Sequence, residues 1–178
     1  LTVNSVNDFK KLNSVKELKI GAGLTNIPFN IFIGSTSLER IDFSDATNLV
    51  EIGFRAFKNC TGLTGNSEGN LDLSGATSLE TIEESAFDNC TGFKGNLILP
   101  NSLKIIESFA FSKCGLEGDL ILPNSLKTIG YEAFRNCKKF TGINFSNAKS
   151  LTTIGISAFI NCEFTGNLDL SGATRLKT

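Results

Sequence analysis

An isoleucine followed five positions later by a phenylalanine occurs six times in this chain of 178 residues. The pairs are Ile27/Phe32, Ile52/Phe57, Ile82/Phe87, Ile106/Phe111, Ile129/Phe134 and Ile154/Phe159. Phe9 occupies the same phase without its isoleucine, and the later phenylalanines are separated by 25, 30, 24, 23 and 25 residues. A unit of this length is too small to bury its own apolar face. The sequence therefore predicts a repeat solenoid, in which neighbouring units cover each other.

Two further apolar signals keep the same period. An apolar–variable–apolar triplet precedes each Ile–Phe step, which is typical of a short β-strand with its outer side chains pointing inward. The triplets begin at Leu18, Ile41, Leu71, Leu97, Leu120, Ile143 and Leu168. A Leu-x-x-Ile element follows, and in five units an alanine directly precedes the phenylalanine, as expected for a short, closely packed helical turn. We therefore predict an α/β solenoid with stacked parallel strands on its concave face and short helical turns and loops opposite.

Five cysteines share one phase, three residues after the repeated phenylalanine. They are Cys60, Cys90, Cys114, Cys137 and Cys162, and Leu12 and Ser35 hold this place in the first two units. A free cysteine packs as a small apolar side chain, so we predict a column of reduced thiols inside the stack. A disulfide framework and a zinc site are the alternatives. The odd cysteine count, the uniform spacing, the absence of histidine and the lack of a Cys-x-x-Cys pair disfavour both.

The link from strand to Leu-x-x-Ile element has two forms. The short form is Leu-Pro-Asn-Ser-Leu at residues 99–103 and 122–126, and the long form is Leu-Ser-Gly-Ala-Thr-Ser-Leu at 73–79. A proline directly after a strand lacks the amide hydrogen that would continue the ladder. Four extra residues, 66–69, account for the longest step, and we expect them to form a surface loop that leaves the core in place.

Composition excludes several classes of function. Seventeen basic and 18 acidic residues give a net charge of −1, so we expect no nucleic-acid partner. No run of 18 apolar residues occurs, so we expect no membrane insertion. Without histidine, Ser-His-Asp and Cys-His catalysis cannot be assembled, and no cofactor or metal motif stands out. We expect a protein that is not an enzyme.

The middle residues of the strand triplets form the candidate binding surface, because they point away from the core. Stacking arranges them as a row: Lys19, Asp42, Asp72, Ile98, Ile121, Asn144 and Asp169. Ile98 and Ile121 are adjacent apolar members of this otherwise polar row, and neighbouring strands lie roughly 5 Å apart. We predict partner binding at Asp72, Ile98, Ile121, Asn144 and Asp169. The alternative is that a neighbouring loop buries the two isoleucines.

The units also resemble a known family. Leu-Pro-Asn-Ser-Leu-Lys-Thr-Ile-Gly-Tyr-Glu-Ala-Phe-Arg-Asn-Cys, at residues 122–137, is similar to the BspA-like leucine-rich repeats, also called the Treponema pallidum class. The similarity covers roughly residues 15–178, with departures at the Ser-Gly-Ala-Thr links and in the 30-residue unit. It implies a curved, right-handed solenoid on surface or secreted proteins of host-associated bacteria and some protists. Members are commonly adhesins that bind host matrix proteins or other cells, and the family offers no catalytic residues.

We expect residues 1–178 to form a single leucine-rich repeat domain of about seven units. Residues 1–14 would be a partial or capping unit and residues 165–178 an incomplete last unit, so that the chain is an excerpt of a longer protein. The predicted function is adhesion or recognition of host or cell-surface proteins. A structural spacer or stalk that self-associates through uncapped ends, and an accessory region beside an enzyme domain, are the alternatives.

Overall fold

The computed structural model of the chain describes residues 1–5, 7, 15–166 and 168–177. Phe9 and Leu12, which the repeat places in the first unit, lie outside the described residues. Thirteen short strands are present in this part of the chain. In order they are β1 (Thr2–Val3), β2 (Glu17–Ile20), β3 (Asn26–Ile27), β4 (Arg40–Asp42), β5 (Glu51–Ile52), β6 (Leu71–Asp72), β7 (Thr81–Ile82), β8 (Leu97–Ile98), β9 (Ile105–Ile106), β10 (Glu117–Ile121), β11 (Thr128–Ile129), β12 (Lys139–Asn144) and β13 (Thr153–Ile154).

The strands form two parallel ladders on different sides of the coil. The first ladder contains the first six predicted triplets and is divided into three groups, β1-β2-β4, β6-β8 and β10-β12. The second ladder is continuous and contains the Leu-x-x-Ile isoleucines, in the order β3-β5-β7-β9-β11-β13. Each residue pairs with its equivalent one repeat away, as Ile52 does with Ile82. This confirms a repeat solenoid of parallel strands, with six coils that each contain one repeated phenylalanine.

The segment before each repeated phenylalanine is a series of tight turns, so the prediction of short helical turns was wrong. Within the described residues no helix is present. Arg55 and Asn59 have φ angles of 52° and 63°, in the left-handed region that interrupts a right-handed helix. Every second amide then donates to the carbonyl three residues back, and the amides between them donate to the next coil. In the second coil, the bonds to the next coil are Arg55 to Glu84, Phe57 to Ala86 and Asn59 to Asp88.

The repeated phenylalanines form one stacked column through the core. Ring centroids of successive members, from Phe32 to Phe159, lie 5.1–5.4 Å apart with interplanar angles of 3–11°. The Phe57–Phe87 distance is 5.1 Å although these residues are 30 positions apart in sequence. The extra residues therefore leave the column unchanged. They fold outward around Asn66, whose Oδ1 accepts the amides of Glu68 and Asn70 at 3.0 Å.

The cysteines form a second column beside the phenylalanines. All five are free; four are buried, and Cys162 is partly exposed. Each thiol donates to the carbonyl oxygen of the repeated phenylalanine in the preceding coil, over 3.0–3.1 Å. The acceptors for Cys60, Cys90, Cys114, Cys137 and Cys162 are Phe32, Phe57, Phe87, Phe111 and Phe134. The predicted column is thus a hydrogen-bonded contact between coils as well as an apolar one.

The last predicted strand triplet does not form. In the earlier triplets the outer residues are buried or partly buried, but Leu168 and Leu170 are 65% and 43% exposed. Residues 168–170 adopt no strand and make no ladder bonds to β12 in the part of the chain that the structure describes. Without such a partner the alternating pattern alone does not order a strand.

Replacing Phe111 with alanine should lower the free energy of unfolding by roughly 3–5 kcal/mol, because the side chain is fully buried between two stacked rings. Urea denaturation of dilute protein measures this loss. Phe29→Ala is the matched control, since Phe29 is 72% exposed, and its effect should stay within about 0.5 kcal/mol. Equal losses in the two variants would contradict the assignment of the column as core.

The thiol column should make stability depend on alkaline pH. Burial raises the pKa of Cys60 to about 12, and it also raises the pKa values of Cys90, Cys114 and Cys137 well above the usual value of 9.0. Above about pH 9 the unfolded chain releases protons that the folded chain keeps. The free energy of unfolding should therefore fall by about 1.4 kcal/mol per pH unit for each protected thiol. Below about pH 9 the thiols are protonated in both states, so their titration should not change the free energy of unfolding.

The measurement is urea denaturation across this pH range for the original chain and for Cys114→Ala. The variant should show a shallower decline, smaller by the contribution of one thiol, because the remaining titrating groups are unchanged. Identical slopes would mean that the thiols ionise equally in both states.

Candidate binding surface

The structure places the predicted row, except Asp169, on the outward side of the first ladder. Asp169 lies beyond β12, in a segment without strand structure. Lys19 pairs with Asp42, Asp72 with Ile98, and Ile121 with Asn144, each pair facing across two strands. Ile98 and Ile121 belong to separate hydrogen-bonded groups. Their strands are neighbours, and the amide of Glu117 at the start of β10 donates to the carbonyl of Gly95 over 3.0 Å. The row is therefore continuous in space although its ladder is interrupted.

The four aspartate and asparagine members of the row have a structural role that sequence reasoning missed. Their Oδ1 accepts the backbone amide of a serine two residues later, at 2.8–2.9 Å, which closes a local turn at the end of the strand. The pairs are Asp42/Ser44, Asp72/Ser74, Asn144/Ser146 and Asp169/Ser171. The bond from the Ser171 amide also holds the pKa of Asp169 below its usual value.

The two isoleucines occur where this turn cannot form. In their units the residue two positions later is Pro100 or Pro123, and proline has no amide hydrogen to donate. A carboxylate or amide side chain at position 98 or 121 would therefore find no backbone amide two residues later to accept. An aliphatic residue at these positions gives up no hydrogen bond. The same links are fixed by serine hydroxyls that donate to the preceding coil, as from Ser125 to the Leu103 carbonyl over 2.6 Å.

Ile98 and Ile121 line a shared concavity of about 590 Å³. Ile121 is 55% exposed, so no loop buries it, whereas Ile98 is half-buried. Exposed polar residues surround them: Asn96, Asn101, Asp119, Asn124, Thr141 and Asn147. The Asp119 carboxylate accepts the Thr141 hydroxyl over 2.7 Å. Among the described residues, the result is an aliphatic floor with an amide-rich rim that contains one carboxylate and no cation.

The other three predicted site residues flank this concavity. Asp72 lines a neighbouring depression together with Lys19 and Asp42, and Asn144 and Asp169 line one on the opposite side. The structure therefore brings only Ile98 and Ile121 into a single site and leaves the rest as its surroundings. Sequence reasoning missed the rim residues Asn101 and Asn124, although each directly follows the proline of a short link.

The described residues contain no cluster of three or more histidine, cysteine, aspartate or glutamate side chains placed to hold a metal ion. No helix among them has the length and apolar character that crossing a bilayer requires.

Comparisons with known proteins agree with the repeat architecture. A family model described as BspA type leucine-rich repeat region (6 copies) matches residues 3–67 and 69–175, which confirms the resemblance seen in the sequence. No curated protein matches the chain significantly. Among solved structures, the T. pallidum leucine-rich repeat protein TpLRR is similar, with a TM-score of 0.64 and 25% identity over 93% of this chain and 80% of that one. This similarity supports the same solenoid fold.

Two further crystal structures overlap less well. A leucine-rich cell surface protein from Faecalibacterium prausnitzii A2-165 has a TM-score of 0.45 and 22% identity, over 85% of this chain and 38% of that one. A leucine-rich repeat protein from Bacteroides ovatus has a TM-score of 0.29 and 21% identity, over 83% of this chain and 64% of that one.

The turn bonds predict unequal effects on stability for two substitutions in the same row. Asp72→Ala should lower the free energy of unfolding by about 1 kcal/mol, because the Ser74 amide loses its acceptor. Ile121→Asp should change it by less than about 0.5 kcal/mol, because the side chain is largely exposed and Pro123 offers no donor. Urea denaturation measures both values, and an equal cost at the two positions would contradict the assigned turn bonds.

Proposed function

We propose, since the chain belongs to the BspA type leucine-rich repeat family, that it is a protein-interaction module that recognises its partner through the outward face of the first ladder. The proposed contact residues are Asp72, Ile98, Ile121 and Asn144 on this face and Asp169 just beyond its end, with the isoleucine pair at their centre. The family match indicates a scaffold and no catalytic family, which supports binding over catalysis.

The exposure of Ile121 is the observation that carries this proposal. An aliphatic side chain with 55% of its area in water, beside a second isoleucine in the same concavity, gains free energy when a partner covers it. Interfaces concentrate their energy in a small apolar centre with a polar rim that excludes water. The rim of asparagine, threonine and aspartate around Ile98 and Ile121 has this composition.

The charges around the concavity indicate the partner's chemistry. In the part of the chain that the structure describes, Asp119 is the only ionisable residue that lines it, and Asp169 lies in the next depression along the row. No described lysine or arginine lines either depression. The fitting partner segment therefore presents an aliphatic side chain to the floor, with amide or basic groups beside it that donate to the rim.

From its membership of the family we infer that the solenoid is curved and right-handed, with the first ladder on its concave face. We also infer from the family that the chain belongs to a cell-surface or secreted protein. Adhesion to host matrix or cell-surface proteins is the role that fits such a module. Its mechanism is a rigid surface, held by backbone bonds between coils, that binds without folding on contact.

Selection of a random dodecapeptide phage library on the intact chain tests the site even though the natural partner is unidentified. Peptides selected on the original chain should bind the Ile98→Asp/Ile121→Asp variant at least tenfold more weakly, because the floor would carry buried carboxylates. They should carry aliphatic and basic residues.

Val50→Asp provides the matched control, since Val50 is also a substantially exposed aliphatic residue but lies outside the first ladder. Binding to this variant should be unchanged, and circular dichroism should show all three proteins folded. Selected peptides that bind every variant equally would place recognition elsewhere. A selection that yields no binding peptide would count against an interaction module of this kind.

A further inference from the structure

The turn side of the solenoid carries a second exposed apolar surface that the binding site does not use. Two positions in each coil define it, which we call row A and row B. Row A is the residue three before the repeated phenylalanine: Phe29, Phe54, Glu84, Ser108, Tyr131 and Ile156. Row B is the residue directly after it: Ile33, Lys58, Asp88, Ser112, Arg135 and Ile160. Ser112 is the one buried member of the two rows. None of these residues lines the concavity around Ile98 and Ile121.

Both rows have a palindromic chemical pattern along the six coils. Row A is apolar in the first two coils, polar in the middle two and apolar again in the last two. Row B begins and ends with isoleucine and is polar between. Reversing the order of the coils leaves both patterns unchanged, with a centre between the coils of Phe87 and Phe111. A surface that matches its own reverse is what an isologous two-fold contact requires.

We propose that two copies of this chain pair antiparallel along rows A and B, with the two-fold axis at that centre. Phe29 of one copy then faces Ile156 of the other, and Phe54 faces Tyr131. The terminal isoleucines of row B also face each other. The central positions of row A, Glu84 and Ser108, are polar and face each other, whereas Ser112 in row B is buried and contributes no contact. Each apolar contact occurs twice in the pair, because the axis repeats it.

The charges in the rows are compatible with this pairing. Antiparallel alignment brings Lys58 of one copy opposite Arg135 of the other. Each cation is already paired in its own chain, Lys58 with Asp88 at 2.7 Å and Arg135 with Glu132 at 2.8 Å. Two neutral ion pairs, and not two bare cations, therefore meet near the axis.

The apolar residues of the inner coils are held in place before any contact forms. The Arg55 guanidinium lies over the Phe54 ring, 4.5 Å from its centroid. Phe109 packs edge-on against Tyr131, with centroids 5.3 Å apart. Anchors that are already ordered lose less side-chain entropy when a partner covers them.

The exposed area is sufficient for a specific dimer. Phe29 and Ile156 are 72% and 79% exposed, and Ile33, Tyr131 and Ile160 are 43–46% exposed. These side chains present on the order of 500 Å² per copy, so a pair would bury on the order of 1,000 Å², the lower limit for specific interfaces. We therefore expect a reversible dimer.

A charge-swap experiment on the intact chain tests the antiparallel geometry. Sedimentation equilibrium of the original chain should show a monomer–dimer equilibrium. Phe29→Lys and Ile156→Glu should each raise the dimer dissociation constant at least tenfold, because each substitution disrupts both symmetric contacts. An equimolar mixture of the two variants should regain dimers, since one contact of the heterodimer is then unaltered and the other pairs lysine with glutamate.

Val50→Glu is the control, because Val50 is 41% exposed but lies outside both rows, and its dimer should match the original. Circular dichroism confirms folding of each variant. A chain that stays monomeric at high concentration would overturn the proposal. So would variants that dimerise like the original chain, or a mixture that remains as monomeric as its components. Failure here leaves the peptide-binding result unaffected, because the two surfaces share no residue.

Discussion

Backbone hydrogen bonds between coils are the constraint on which the whole structure depends. Each coil donates to its neighbours in the first ladder, in the second ladder and in the turn segment, so equivalent residues lie one above the other at nearly constant spacing. The phenylalanine stack, with centroids 5.1–5.4 Å apart, follows from that spacing. Both proposed interaction surfaces also follow from it, since stacking turns one position of a repeat into a row.

The sequence was sufficient to predict the features that depend on side-chain periodicity. The phenylalanine and cysteine columns, the inward side chains of the first ladder and the outward loop at residues 66–69 occur as the repeat predicts. The turn conformation was not predictable in the same way. Five of the eleven non-glycine residues with left-handed φ angles in the described chain are asparagines, which tolerate that region, but the other six are arginine, serine, phenylalanine, lysine and glutamate, which do not mark such a turn. The second ladder was missed because strands of two residues are too short to show alternation.

The binding surface, too, was only partly predictable from the sequence. Sequence reasoning identified the outward row and its two apolar members, because stacking alone places them side by side. It did not explain why Asp72 is polar and Ile121 is aliphatic. The structure shows that the residue two positions later decides this: Ser74 donates its amide to Asp72, whereas Pro123 has no amide hydrogen to donate to a residue at position 121. The structure thus assigns Asp72 and Asn144 to turn formation first. The isoleucines are the members of the row that no local bond explains.

The thiol bonds have a consequence for how such an array changes during evolution. Each cysteine thiol donates to the carbonyl of the repeated phenylalanine in the preceding coil. Every coil has this carbonyl at the same position, so any unit could precede any other. A gene duplication or deletion of one whole unit would therefore leave every remaining interior thiol with an acceptor. Array length can then vary by recombination while the core chemistry stays intact, and the outward residues are free to diverge unit by unit.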